Sequence, residues 1–267
     1  MSDGPVDGGP DAVRAGWRNT THDWAGTVDH AHLAGIRRAP ATYAPGGVRH
    51  LVLEVLAYAA DEAECTGRGR AVVTAHADGS VSVADDGRGT DTRLDASGRP
   101  VKKPVMATKD LRFFDAPDAT DISDTCDAPD TIGASGAPGA PGAPGAPGAS
   151  GASGASGVPD ASDTSGASGA PDTSGAQTLP DGHPRRGMSV VAALSDWLVH
   201  TNRRAGGAWT QRYEHGIPVT DLTPVPDDGT TGTTIRFRPS AALRGTVDAS
   251  GAAGWTPYLT VEVRTAD

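Results

Sequence analysis

Residues 46–64 read GGVRHLVLEVLAYAADEAE, and residues 71–93 read AVVTAHADGSVSVADDGRGTDTR. The second segment predicts two strands, residues 71–75 and 80–84, because residues that favour strands flank an Asp-Gly turn. The first segment predicts an α-helix, since five apolar residues recur at helical spacing; they are Val48, Leu51, Val52, Val55 and Ala59. A helix followed by a hairpin is therefore the unit from which the rest of the chain is interpreted.

Polar residues mark one face of this helix and the end of the second strand. Glu54, Tyr58 and either Asp61 or Glu62 follow one another at intervals of four and then three or four residues, which places them on one side of the helix. Asp85 is followed by two glycines, so backbone can approach a ligand closely while the carboxylate accepts a hydrogen bond. Asp85 could therefore hold a base, and Glu54 could act on water. A plain strand-to-turn junction and a solvated helix glutamate are the simpler alternatives.

The order and spacing of these segments resemble the N-terminal ATPase domain of DNA gyrase B and topoisomerase IV, in the GHKL (Bergerat-fold) superfamily. In that family a helix reading roughly EVVDNxxDEA precedes a strand ending in DNGRGIP, and residues 54–63 and 85–91 here read EVLAYAADEA and DDGRGTD. Residues 209–222, WTQRYEHGIPVTDL, and 231–240, TGTTIRFRPS, are similar to two further family segments. The resemblance implies an α+β two-layer sandwich, with helices on one face of a mixed, mostly antiparallel sheet.

The resemblance also implies ATP as the ligand and assigns roles to individual residues. Glu54 corresponds to the general base that polarises the attacking water. Asp85 corresponds to the acid that accepts the adenine amino group, and Thr233 to the threonine beside that acid. The remaining nucleotide-binding residues that the resemblance implies are Asp61, Gly87, Gly89 and Gly187.

Several residues depart from the family pattern where the phosphates would lie. Tyr58 stands where the family has the asparagine that coordinates Mg²⁺, and a neutral phenol is a poor ligand for that cation. Arg185 replaces the middle glycine of the turn before the helix at 188, and the two lid glycines are absent. We therefore expect no metal ligand at Tyr58, a doubtful role for Mg²⁺, and weak or absent hydrolysis with base recognition retained.

Composition divides the chain into four parts. Residues 1–30 predict a mobile arm, 31–114 and 182–267 the two halves of the ATP-binding domain, and 115–181 a disordered insert at the lid position. The insert holds ten of the 33 acidic residues and no Lys, Arg or Glu, so the remaining chain is formally neutral. Glycine recurs at every third position over 133–157, but a tract this short does not indicate collagen. No basic surface typical of nucleic-acid binding is evident.

Four further expectations concern the local structure. Residues 93–103 predict a polar loop, and residues 188–198 predict one continuous helix because Met188 and Val191 share a face with the two following leucines. Pro40 is expected to end a short helix. Strands are predicted over residues 197–204, 208–215, 233–238 and 258–265.

The remaining expectations concern location and partners. The chain has two cysteines, no apolar run of 18 residues and no signal-like N-terminus, which favour a cytoplasmic protein with reduced thiols. The resemblance places the chain's end where the family's transducer domain would begin. The alternative function is a non-catalytic interaction module that binds a gyrase or topoisomerase subunit, and a decaying paralogue without selected activity is a third possibility. The sequence leaves dimerisation open.

Overall fold

The computed structural model describes residues 21–22, 26–114, 178–243, 245–249, 252 and 256–266. Within this part of the chain an eight-stranded mixed sheet packs against helices, which confirms the predicted α+β class. Residues 115–177 of the predicted insert, and all of the predicted arm except residues 21–22 and 26–30, lie outside the described residues. The last four residues of the predicted insert, 178–181, are described, and they belong to the folded part: Leu179 is buried and Asp181 contacts His50.

The helices are short apart from one that forms the centre of the helix layer. α1 begins after Asp29, whose side chain accepts a hydrogen bond from the His32 N–H at 2.9 Å. The long helix α3 ends at Gly67, which adopts the left-handed conformation common at helix C-termini. The helices are α1 (His30–Arg38), α2 (Pro40–Tyr43), α3 (Val48–Thr66), α4 (Leu111–Phe114) and α5 (Met188–Ala193).

The strands form one large sheet and one separate hairpin. They are β1 (Gly69–His76), β2 (Val81–Asp85), β3 (Thr92–Leu94), β4 (Pro100–Lys102), β5 (Ser195–Arg204), β6 (Gly207–Glu214), β7 (Ile217–Pro218), β8 (Thr223–Pro224), β9 (Gly232–Pro239) and β10 (Leu259–Ala266). The large sheet has the order β10-β1-β2-β9-β5-β6-β7, with β8 paired to β6. Only the β1–β10 pairing is parallel within the described strands.

The sheet order positions the predicted site. β2 lies between β1 and β9, and β9 runs antiparallel to it with Ala84 opposite Thr234. The end of β2 at Asp85 is therefore beside the start of β9 at Thr233. α3 packs over β1 and β2, and its Leu53 and Leu56 are fully buried. The helix with Glu54 thus lies over the strand that ends at Asp85.

The structure corrects several local predictions. Residues 93–103 are not an irregular loop, because β3 and β4 pair antiparallel across this segment. The helix predicted over 188–198 ends at Ala193, and a strand begins at Ser195, whose hydroxyl donates to the Val191 carbonyl at 2.7 Å. Leu198 is a strand residue, so its match to the helical period was coincidental. The first short helix does end before Pro40, as expected, but a second one begins at Pro40, where proline is tolerated because the first turn needs no N–H donor.

Two other expectations, the mobile arm and the reduced thiols, can each be checked at one residue. His22 belongs to the predicted mobile arm but is fully buried, with Nδ1 3.2 Å from the Thr108 hydroxyl. Cys65 is disulfide-bonded, which corrects the expectation of reduced thiols. In the described part of the chain, no helix is both long and apolar enough to cross a membrane.

Candidate functional site

Asp85 is held at the end of β2 by two backbone donors. Its Oδ1 accepts from the Gly87 N–H at 3.0 Å and from the Thr233 N–H at 3.2 Å. Its Oδ2 accepts no hydrogen bond from the residues that the structure describes. Burial raises the pKa of Asp85 to about 6. The arrangement leaves one carboxylate oxygen available to a donor from outside the chain.

Thr233 meets Asp85 through its backbone, and Gly232 makes this possible. Gly232 has φ of 125°, and a Cβ at this position would lie 2.1 Å from the Asp85 carbonyl oxygen. Only glycine allows β9 to approach so closely. The resemblance placed Thr233 beside Asp85, and the structure shows them in contact. The donor in this contact is the main-chain N–H of Thr233.

The turn after Asp85 is fixed to α3 by an ion pair. Glu62 Oε1 accepts from the Arg88 N–H at 3.0 Å and from Arg88 Nε at 2.6 Å. Gly89, with φ of 80°, follows in this turn, and a Cβ there would lie 2.6 Å from the Arg203 carbonyl oxygen. A small, solvent-open cleft with room for about one water molecule adjoins the turn, lined by Ala59, Glu62, Ala63, Arg68, Gly69, Arg70, Asp85, Asp86, Gly87 and Leu259.

Glu54 lies against the backbone of the turn that precedes α5. It is fully buried, its Oε2 accepts from the Gly187 N–H at 3.0 Å, and its Oε1 accepts from the Arg186 N–H. Burial raises the pKa of Glu54 to about 7, and Arg185 together with the two amides opposes that rise. The residue that the resemblance suggested as a general base thus accepts from both backbone amides that precede α5.

His50 was missed by sequence reasoning, although it lies one helical turn before Glu54. Its Nε2 is 3.6 Å from Glu54 Oε1, and its Nδ1 is 2.9 Å from Asp181 Oδ2. Burial lowers the pKa of this histidine. The i, i+4 spacing to Glu54 was a signal that could have identified it.

Tyr58 and Arg185 fill the region beside Glu54. The Tyr58 hydroxyl donates to Asp110 Oδ2 at 2.7 Å, and the Arg185 guanidinium carbon lies 4.5 Å from the Tyr58 ring centroid. Arg185 Nη1 pairs with Asp61 Oδ2 at 2.8 Å, and only 2% of its side chain is exposed. Arg112 pairs with both acids, at 2.8 Å to Asp110 and 3.4 Å to Asp61. We call Tyr58, Asp61, Asp110, Arg112 and Arg185 the arginine–aspartate cluster.

The residues around Tyr58, where the resemblance implies a metal ligand, do not fit Mg²⁺. Burial and the neighbouring Asp110 carboxylate raise the pKa of Tyr58 well above its ordinary value, so the phenol is neutral. The oxygens of Asp61 and Asp110 already accept from guanidinium groups. A hard dication requires several oxygen ligands that are not committed to other cations. The sequence-based doubt about Mg²⁺ therefore rests on specific contacts.

Replacing Glu54 by glutamine is expected to change how stability depends on pH. Between about pH 4.5 and pH 7 the folded chain keeps the Glu54 proton that the unfolded chain has lost, so rising pH lowers the free energy of unfolding. The free energy of unfolding of the wild type minus that of Glu54→Gln should therefore fall by about 3 kcal/mol as the pH rises through this range. Urea denaturation at several pH values measures the difference. Glu64→Gln, on the exposed side of the same helix, should give no such trend, and parallel curves for Glu54→Gln would contradict the assignment.

Comparisons with known proteins agree with this geometry. The chain is 31% identical over 215 residues, 78% of its length, to the mitochondrial DNA gyrase B of Arabidopsis thaliana. It is 28% identical over 217 residues, 79% of its length, to the B-subunit of DNA topoisomerase 4 from Staphylococcus epidermidis. These matches cover 22% and 24% of those relatives, so the chain spans about a quarter of their length. No protein-family model matches the sequence.

A solved structure supports the fold independently. The topoisomerase IV ATP-binding domain of Francisella tularensis, in complex with a small-molecule inhibitor, superposes with a TM-score of 0.51 at 19% identity. The match covers 87% of this chain and 89% of that domain. The chain is thus a homologue of the ATPase region that DNA gyrase B shares with its topoisomerase IV counterpart, with the GHKL ATP-binding fold.

Proposed function

We propose that this chain binds adenine nucleotides such as ATP through Asp85 and hydrolyses them slowly or not at all. The observation that carries the proposal is the Asp85 carboxylate. Two backbone donors orient it through Oδ1, while Oδ2 is left without a donor among the described residues. A partly buried carboxylate that is held in place through one oxygen can accept from a ligand through the other.

Adenine is a base that can satisfy this acceptor. Its exocyclic amino group is a donor, whereas guanine carries a carbonyl acceptor at the equivalent position. A site built around one such hydrogen bond rejects ligands that lack the donor, because the buried acid is then left unpaired. The homology to gyrase and topoisomerase IV subunits supports the same choice of ligand.

Slow or absent hydrolysis follows from the contacts of Glu54. A general base must reach the attacking water, yet both Glu54 oxygens accept backbone N–H bonds and the side chain is fully buried. The cations near it are already paired with aspartates, and charge stabilisation is most of the catalysis in phosphoryl transfer. In this arrangement the chain binds ATP but does not hydrolyse it efficiently.

Titration calorimetry with ATP and GTP tests the proposal. ATP should bind and GTP should give no measurable heat, with or without Mg²⁺. Phosphate release from ATP should stay at the background of a buffer control. Absence of binding by ATP would overturn the proposed function, and rapid Mg²⁺-dependent turnover would overturn its non-hydrolytic part.

The second candidate is a non-catalytic module that binds a gyrase or topoisomerase subunit in the cytoplasm. The saturated contacts of Glu54 favour it, because a chain that retains the fold but not turnover could still serve as a binding surface. Copurification of such a subunit with an Asp85→Ala variant would support this role. Loss of copurification in that variant would tie the partner to the nucleotide instead.

A further inference from the structure

We infer that the site recognises the adenosine part of its ligand alone, so that added phosphates contribute no affinity. The inference rests on the proposed function and specifies its ligand class: adenosine-containing compounds of any phosphorylation state. It follows from how the chain's own carboxylates occupy the donors at the phosphate end of the site.

Three carboxylates occupy these donors. Glu54 accepts from the two backbone amides before α5, at residues 186 and 187. Asp61 accepts from Arg185 at 2.9 Å to Oδ1 and lies 2.8 Å from it through Oδ2. Asp110 accepts from Arg112 through both oxygens, at 3.0 and 2.8 Å. The two guanidiniums and the two aspartates of the arginine–aspartate cluster have a summed formal charge of zero.

Displacing these carboxylates would be costly. A phosphate that took the amides from Glu54 would leave this buried carboxylate without its two backbone donors, and one that took Arg112 would leave the buried Asp110 without its guanidinium partner. Breaking one partner out of a buried ion pair costs about 3–5 kcal/mol, which offsets what a phosphate contact gains. Although burial opposes ionisation, Arg112 holds the pKa of Asp110 at about 2, so protonation does not release this acid at neutral pH. Phosphate would therefore have to compete with carboxylates for the two amides and for Arg112, and it would meet their like charge nearby.

The base end of the site is independent of this cluster. The cleft beside Asp85 is lined by ten residues, none of which belongs to the arginine–aspartate cluster. Asp85 and its donors lie on β2, β9 and the turn between β2 and β3. The contacts that read the base can thus form while the cluster stays intact.

Calorimetry with adenosine, AMP, ADP and ATP tests the inference, each titrated in EDTA and in Mg²⁺. The four dissociation constants should agree within about threefold, and Mg²⁺ should not change them. ATP binding more than tenfold tighter than adenosine would overturn the inference while leaving the proposed function standing. No binding by any of the four would overturn both.

An Asp61→Asn variant supplies an independent arm. It removes the charge that neutralises Arg185 while keeping the side-chain shape, so the ratio of the adenosine to the ATP dissociation constant should rise at least tenfold. Asp78→Asn is the matched control, because Asp78 pairs with Arg236 at 3.0 Å on the surface and away from the cluster. An unchanged ratio in Asp61→Asn would contradict the inference that the chain's own carboxylates keep phosphates from binding.

Discussion

Asp85→Asn is expected to weaken ATP binding at least a hundredfold while leaving the fold intact. The Gly87 and Thr233 amides both need an acceptor where Oδ1 now lies, so they should orient the new side chain with its carbonyl oxygen toward them. The NH₂ group then replaces Oδ2 and faces the adenine amino group, donor against donor. A hundredfold loss corresponds to about 2.7 kcal/mol, within the range for a lost hydrogen bond to a charged group.

Calorimetry with ATP measures the loss, and a thermal melt followed by circular dichroism checks the fold. Asp196→Asn, an exposed residue of β5, makes the same charge change on the surface and should bind as the wild type does. Wild-type affinity in Asp85→Asn would place the base elsewhere. A lowered melting temperature alone would not explain a binding loss that persists well below that temperature.

Local sequence patterns predicted the frame of the site well. The helical period of α3, the Asp-Gly hairpin and the DDGRG turn are short-range features, and each formed as the residues indicated. The pairing of Asp85 with Thr233 spans 148 residues but followed from the family resemblance. Element ends were less predictable, because Leu198 fits a helical period as well as it fits the strand it joins.

The contacts that set the chemistry at the phosphate end could not be predicted from the sequence. Glu54 meets the amides of residues 186 and 187, more than 130 positions away, and no local pattern encodes such an approach. Arg185 was identified as a lost glycine, but its pairing with Asp61 depends on how the turn before α5 packs on α3. A substitution can remove a function by taking away a group, or by adding one that occupies the space. Only the folded structure shows the second effect here.

Gly232→Ala is expected to lower the free energy of unfolding by more than about 3 kcal/mol. Two costs combine, since an L-residue at φ of 125° is strained and the new Cβ would lie 2.1 Å from the Asp85 carbonyl oxygen. Backbone strain of this kind costs about 1–3 kcal/mol, and overpacking costs a similar amount. The neighbouring atoms belong to main chain, so β9 must move away from β2 to relieve the overlap.

Gly229→Ala separates the two costs. Gly229 also has positive φ, at 74°, but a Cβ there would meet no heavy atom within 4 Å. The loss in free energy of unfolding for Gly229→Ala should stay near the 1–2 kcal/mol that left-handed backbone strain alone costs. Urea denaturation of both variants gives the difference, which measures how tightly β9 is held against Asp85. Equal losses in free energy of unfolding for the two variants would mean that the close approach of β9 to Asp85 is not needed for the fold. A larger loss in Gly232→Ala, accompanied by weaker ATP binding in whatever fraction remains folded, would link strand pairing directly to the orientation of the acid that reads the base.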